Sequence, residues 1–187
     1  MGVAGTAVTG DVVLINTITA TSDATISFTS GIDSTYGEYI FRFYNINPET
    51  TNSYFAFQVN AAGASGYNET MTSTSFWASH NESDSNAELI FDNTGTHYAA
   101  QETDFQSLTH SVQNDADASM AGELHIFNPS SGTYITHFYS TTNTMGSGYS
   151  INTRVGGYIN VTTAIDDIQF KMSAGDFDGK IKMWGVK

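Results

Sequence analysis

Three aromatic residues, Tyr67, Trp77 and Tyr149, lie in or beside stretches typical of loops or strand ends. Rings at such positions can stack on the apolar face of a sugar, while nearby polar side chains bind its hydroxyl groups. The alternative is that these rings fill the core and the ends of the fold, as aromatic side chains commonly do. Both interpretations stay open, and the three residues are our candidate glycan contacts.

Two acidic pairs, Asp115 with Asp117 and Asp176 with Asp178, have the spacing of partial calcium loops. Neither pair continues to the Glu at position twelve of such a loop. Asp is also common in turns, because its side chain accepts hydrogen bonds from the local backbone. We therefore expect no cofactor and no metal, with a calcium ion at these residues as the alternative.

The five histidines show no metal-ligand spacing. His125 and His137 flank a five-residue loop, so a hairpin would bring them near each other as a metal site or a pH-sensitive pair. A zinc site needs three or four ligands. We therefore favour two cross-strand polar residues on a solvent-exposed face.

Sequence motifs for catalysis are missing: the chain has no G-x-S-x-G, no H-E-x-x-H and no phosphate-binding loop. Two carboxylates facing each other across a cleft could hydrolyse a glycosidic bond. With 19 acidic residues, however, some pair falls at a suitable distance by chance. The sequence therefore predicts that the protein is not an enzyme, with a small glycoside hydrolase as a rival.

Length and charge narrow the possible classes of protein. The chain has 187 residues, 6 basic and 19 acidic, for a net charge of −13. Such a charge argues against binding to nucleic acid and to anionic lipid, both of which require clustered Lys and Arg. No run approaches the length of a membrane span, no signal peptide is evident at the start, and there is no cysteine.

The apolar pattern is that of an all-β protein with about eleven strands, arranged as an antiparallel, jelly-roll-like β-sandwich. Alternation over Glu38–Tyr44 places Tyr39, Phe41 and Phe43 on the face expected to enter the core. A hairpin is predicted over 123–139, and a second one at Asp176–Gly179 before the last strand.

Domain boundaries follow from composition. Residues 1–10 are small and nearly featureless, so we expect residues 1–20 to form a flexible N-terminal arm or a first strand that makes an assembly contact. Residues 21–187 are expected to form a single β-sandwich domain.

Three stretches carry a resemblance to a known family: Gly31–Phe43, Gly122–Ser130 and Gly179–Lys187. With them, nearly the whole chain resembles a family of small virion structural proteins of tailed bacteriophages, common among marine and cyanobacterial phages. The closing strand is similar to those that end β-sandwich domains of phage fibres and capsid decorations. These motifs are structural, so the resemblance carries over no functional residue.

The resemblance implies a structural protein of the virion, assembled in the cytoplasm of the host bacterium and displayed on the particle as a tail-fibre or adhesin-like unit or as a capsid decoration. Its expected partners are other virion proteins and copies of itself, as a homotrimer. A carbohydrate-binding β-sandwich module that recognises host surface glycans is the alternative, and it could act within the first role as host attachment.

The basic residues are unevenly distributed. Arg42 is the only one before residue 154, and the other five lie in the last 34 residues of the chain. Lys180 and Lys182 on the closing strand could simply protect a sheet edge. Our sharper expectation is that they meet acidic groups of the chain's own body or of a neighbouring subunit.

Overall fold

A computed structural model describes residues 11–92, 95 and 97–187, in which the chain forms β-strands and no α-helix. The strands are β1 (Val12–Asp23), β2 (Ile26–Phe28), β3 (Glu38–Pro48), β4 (Phe55–Ala61), β5 (Met71–Asn81), β6 (Ala87–Phe91), β7 (Ala100–Glu102), β8 (Gln106–Ser107), β9 (Met120–Phe127), β10 (Thr136–Gly146), β11 (Tyr149–Ile159), β12 (Ile165–Met172) and β13 (Phe177–Val186). Within the same ranges, no helix is long and apolar enough to cross a membrane.

These strands form two antiparallel sheets that pack as a sandwich. The wide sheet has nine strands in the order β1-β13-β3-β9-β10-β11-β5-β6, with β7 also paired to β5. The narrow sheet has four strands in the order β2-β12-β4-β8. The predicted all-β, antiparallel sandwich is therefore confirmed.

The strand order is that of a jelly roll with two insertions. Without β5–β7 and β10–β11, eight strands remain, and their pairs are nested: β1 with β13, β2 with β12, β3 with β9 and β4 with β8. This nesting is what rolling up one long hairpin into two sheets produces. The inserted strands β10, β11, β5 and β6 lie side by side and widen one sheet only.

The core fills the space between the two sheets. Tyr39, Phe41 and Phe43 point into it and are almost fully buried, as the alternation predicted. Phe170 on β12 lies at the centre of an aromatic cluster and packs its ring 5.4 Å from those of Phe41 and Phe43. Its ring also stacks on that of Phe55 at 5.7 Å.

The strand predictions differ from the structure in several places. The structure has thirteen strands in its described part, rather than about eleven. The predicted 123–139 hairpin is confirmed as β9 and β10, but the strands continue through 140–154, where polar Thr, Ser and Asn residues hid the pattern.

The second predicted hairpin was wrong. Asp176–Gly179 does not join two neighbouring strands, because β12 pairs with β4 and β2 in the narrow sheet while β13 pairs with β1 and β3 in the wide one. The chain crosses from one sheet to the other at residues 173–176, and Phe177–Gly179 are already the first residues of β13. A turn and a crossing contain the same residue types, so local sequence does not distinguish them.

The predicted arm falls partly outside the described residues, which begin at residue 11. Residues 12–23 form β1, an edge strand of the wide sheet, so the boundary we placed between residues 20 and 21 lies within that strand.

Truncation of Phe170 tests the role of the aromatic cluster. We expect Phe170→Ala to lower the free energy of unfolding by about 3–5 kcal/mol, because it leaves a large cavity among rigid rings. The matched control is Tyr134→Ala at an exposed loop position, where the change should stay within about 0.5 kcal/mol. Urea unfolding of both variants measures the difference, and equal losses would contradict the central role of the cluster.

Candidate functional site

The two insertions build a concave surface at the far end of the wide sheet. On the inner face of three adjacent strands, alternate positions are occupied by Trp77 and Ser79 of β5, Glu88 and Ile90 of β6, and Tyr149 and Ile151 of β11. The register places Trp77 beside Ile90, and Ser79 between Glu88 and Ile151. We call this surface the groove; its volume is about 350 Å³.

A tight turn after β5 positions one side of the groove. The Asn81 side-chain carbonyl accepts hydrogen bonds from the backbone N–H groups of Ser85 (2.9 Å) and Asn86 (3.0 Å). Asp84 adopts a positive φ of 54°, which Asp tolerates better than most residues. Because the chain reverses here, Ile90 is brought back beside Trp77, and Asn86 lies at the rim of the groove.

A second tight turn positions Tyr149. Ser147 and Gly148 both have positive φ values, of 50° and 74°, as a type I′ hairpin turn requires. Gly146 and Tyr149 pair directly across this turn. The Glu82 N–H donates to the Gly148 carbonyl at 2.9 Å, so the two turns are joined at the same end of the sheet.

The floor of the groove is completed by His110, which lies in the segment between β8 and β9. Its ring packs on that of Trp77 with centroids 4.5 Å apart and an interplanar angle of 40°. The His110 N–H donates to Thr153 Oγ1 on β11 at 3.1 Å. Trp77 is therefore held from behind, with its ring partly exposed in the groove.

A buried polar cluster lies behind Trp77 and His110. The His97 ring is 5.4 Å from that of His110 and 5.3 Å from that of Tyr54. Its Nε2 lies 3.8 Å from Oδ2 of Asp92, whose side chain is fully buried. His97 also shares a hydrogen bond of 3.0 Å with Ser107 Oγ.

Burial decides the protonation of these histidines. It lowers the pKa of His97 below the usual 6.5, and His110 acts in the same direction, while the Asp92 charge opposes the shift. Burial likewise lowers the pKa of His110, again opposed by Asp92. Both imidazoles are therefore neutral at pH 7, and the floor of the groove carries no positive charge from them.

The candidate glycan-contact residues are only partly brought together. Trp77 and Tyr149 line the same groove. Tyr67 lies in the loop between β4 and β5, close to the start of β5, whereas the groove lies near the end of that strand. The Tyr67 N–H donates to Asn60 Oδ1 at 2.8 Å. The structure thus joins two of the three aromatics and separates the third.

The two histidines of the predicted hairpin are not directly opposed. The register pairs His125 with Tyr139 and His137 with Phe127. The His125 ring stacks on that of Tyr139 at 4.4 Å, and its Nδ1 lies 2.5 Å from Glu38 Oε1. His125 is therefore a nearly buried residue of the outer face, while His137 is exposed.

The two acidic pairs lie at turns and strand starts, where the hydrogen bonds to them are made within the chain. Asp178 Oδ1 accepts a hydrogen bond from the Ser22 N–H at 2.8 Å, and the Asp176 carbonyl accepts one from the Glu49 N–H. Asp115 and Asp117 lie in the turn before β9, where the Asp115 carbonyl accepts the Ala118 N–H. In the described part of the chain, no three His, Asp or Glu residues are grouped so that they could hold a metal ion.

Lys180 and Lys182 lie on β13, next to the edge strand β1, on the opposite side of the wide sheet from the groove. They border a depression of about 510 Å³ that Thr19, Tyr44 and Asn45 also line. The Lys182 Nζ lies 5.4 Å from the centroid of the Tyr44 ring. Within residues 11–92, 95 and 97–187, neither lysine has a carboxylate oxygen within 4.0 Å.

The chain was compared with known protein families, proteins and structures. No protein-family model, no curated protein and no solved structure matches the chain.

Six residues of the groove were not candidates from the sequence: Ser79, Asn86, Glu88, Ile90, His110 and Ile151. A partial signal was present for Asn86 and Glu88, because polar and apolar residues alternate over 86–89 directly after the turn-forming residues 82–85. His110 had no such signal, since its place depends on a contact with β11, which is distant in the sequence.

The buried histidines predict a pH dependence of stability. Because their pKa values in the folded state lie below 6.5, their contribution to stability is complete above about pH 6.5 and is lost as the pH falls through the folded-state values. Urea midpoints should therefore decrease from about pH 7.5 to pH 5. The loss should be smaller in the His97→Gln/His110→Gln variant.

The exposed His80 provides the matched control. His80→Gln should keep the wild-type dependence of the urea midpoint on pH, since this side chain is more than half exposed. If His80→Gln reduced the dependence as much as the double variant did, the buried histidines would not be its cause.

Proposed function

We propose that this protein is a non-enzymatic surface subunit of a tailed-bacteriophage virion, and that its groove binds a glycan of the host surface. The observation that carries the binding part is the placement of Trp77 and Tyr149 in one groove beside polar side chains. The virion part rests on the sequence resemblance. Jelly rolls occur in both viral capsid and lectin domains, so the fold is compatible with both parts.

The groove has the composition that sugar recognition requires. Trp77, Tyr149, Ile90 and Ile151 offer apolar surface for the C–H faces of a pyranose ring, while Ser79, Asn86 and Glu88 offer hydrogen-bonding groups for its hydroxyls. Its volume is at the small end of the roughly 300–1,000 Å³ typical of ligand sites. That size fits one or two sugar rings of a longer chain.

Binding is favoured over hydrolysis by the acidic residues of the site. Among the described residues that line the groove, Glu88 alone carries a carboxylate. Glycoside hydrolysis normally uses two carboxyl groups that flank the scissile bond. A single carboxylate can accept hydrogen bonds from sugar hydroxyls but does not supply both an acid and a base.

Loss of the aromatic platform tests glycan binding. On an array of bacterial surface glycans, the intact protein should bind at least one structure, and calorimetry should then measure its affinity. We expect Trp77→Ala and Tyr149→Ala each to weaken binding by about tenfold or more, on the order of 1.4 kcal/mol. Tyr67→Ala is the matched control and should bind as the wild type does, because Tyr67 lies outside the groove.

Two outcomes would contradict this part of the proposal. One is the failure of the intact protein to bind any glycan of the array. The other is an equal loss of binding in all three Tyr and Trp variants, which would indicate a general change of structure instead of a loss of contacts.

The virion part is tested separately by mass spectrometry and cryo-electron microscopy of purified phage particles. A capsid decoration would be present in many copies at symmetry positions of the capsid, whereas a fibre subunit would be present in few copies at the tail. Absence of the protein from purified particles would overturn both versions.

A further inference from the structure

Among the described residues, the two edge strands of the wide sheet, β1 and β6, expose apolar side chains on its outer face. On β6, Leu89 is 74% exposed and Phe91 is 62% exposed. On β1, Val12 is 50% exposed and Leu14 is 44% exposed. Monomeric proteins rarely leave an apolar edge strand open, because its unpaired backbone groups can bind another chain.

The two edges differ in their charged residues, although Asp178 also lies on β13 close to Lys180. The turn between β5 and β6 presents Glu82 and Asp84 to solvent, and the sequence has no Lys or Arg between Arg42 and Arg154. At the other edge, Lys180 and Lys182 lie on β13 beside β1, without a carboxylate oxygen within 4.0 Å among the described residues. The β1–β13 edge therefore offers two lysines without an ion pair among the described residues, and the β6 edge offers exposed carboxylates with no Lys or Arg nearby in the sequence.

Apolar and charged groups also follow one another in the same order along the two edges. One row of paired residues runs across the whole sheet: Thr17, Lys182, Arg42, Glu123, Thr141, Arg154, Phe76 and Phe91. This row fixes one common direction along all the strands.

In that common direction, the β6 edge presents Phe91, then Leu89, then the acidic turn. The β1–β13 edge presents Val12 and Leu14, and then the two lysines. If the second copy is shifted along the strand direction, as neighbouring strands are in tilted sheets, one shift satisfies both contacts. The apolar side chains of β6 then lie beside those of β1, and the acidic turn lies beside the two lysines.

The directions of the two edge strands also permit β6 of one copy to pair with β1 of another. The path from β1 to β6 contains eight strands that are antiparallel to their neighbours, so its two edge strands run in opposite directions. A second copy that continues the sheet therefore brings β6 and β1 together as antiparallel strands. Backbone pairing is limited to the first half of β1, because a bulge follows Leu14 and the Asn16 side chain accepts the Thr17 N–H.

We propose that the β6 edge of one copy docks on the β1–β13 edge of the next copy in a head-to-tail contact. Leu89 and Phe91 pack against Val12 and Leu14, and the acidic turn meets the two lysines. A symmetric contact between two β6 edges would instead bring together two acidic edges and leave the lysines unpaired. A head-to-tail contact of this type closes into a ring when its rotation allows.

This contact is independent of glycan binding. Leu89 and Phe91 lie on the outer face of β6, whereas Glu88 and Ile90 face the groove. Failure of one proposal therefore leaves the other untouched.

The absence of cysteine from the chain permits a direct test by disulfide cross-linking. The two variants are Phe91→Cys and Leu14→Cys. On mild oxidation, a mixture of the two variants should form covalent dimers, while each variant alone should remain uncross-linked. Efficient cross-linking of Phe91→Cys with itself would indicate the symmetric contact and would overturn the proposal.

Charge reversal provides a second test, read by sedimentation or light scattering. Lys180→Glu/Lys182→Glu should raise the dissociation constant of the assembly at least tenfold, and adding Glu82→Lys should restore part of the lost affinity. Arg154→Glu on β11, away from both edges, is the matched control and should assemble as the wild type does. A wild-type protein that stays monomeric, or lysine variants that assemble normally, would overturn the proposal.

Discussion

The narrow sheet has too few strands to cover the wide sheet that it faces. Two sheets share a core only where both are present. Over the eight jelly-roll strands the phenylalanine cluster around Phe170 fills the space between them. Beyond those strands, the inner face of the insertions must be covered by something else. The groove and the buried histidine cluster both follow from this difference in width.

The segment between β8 and β9, which has no regular strand at Leu108 and His110, covers this face. Polar residues of the inserted strands hold it by hydrogen bonds. Buried backbone groups outside regular strands need hydrogen-bond partners. Thr142 Oγ1 donates to the Leu108 carbonyl at 2.7 Å, and Thr153 Oγ1 accepts the His110 N–H. Ser and Thr on an inner sheet face are unusual for a core, but here they hold the segment that supports Trp77.

The sequence predicted some elements well and others poorly, for physical reasons. Alternation over 39–43 correctly identified the core face of β3, because side chains of one strand alternate whatever their partners are. Thr, Ser and Asn do not alternate visibly with apolar residues, so the long β10–β11 hairpin was recognised only in part. Trp77 and Tyr149 were candidates from the start, but their neighbours Glu88 and His110 were not.

The amino-acid sequence was sufficient to predict the class of the fold, the inward faces of its clearest strands and the acidic character of the chain, with its few basic residues near the end. These are local properties of composition and alternation. The folded arrangement was needed to show which strands are neighbours, that Trp77 and Tyr149 share a groove while Tyr67 does not, and that apolar side chains remain at both sheet edges. Backbone hydrogen bonds are the same for almost every residue, so strand order and register depend on how well the whole chain buries its apolar surface.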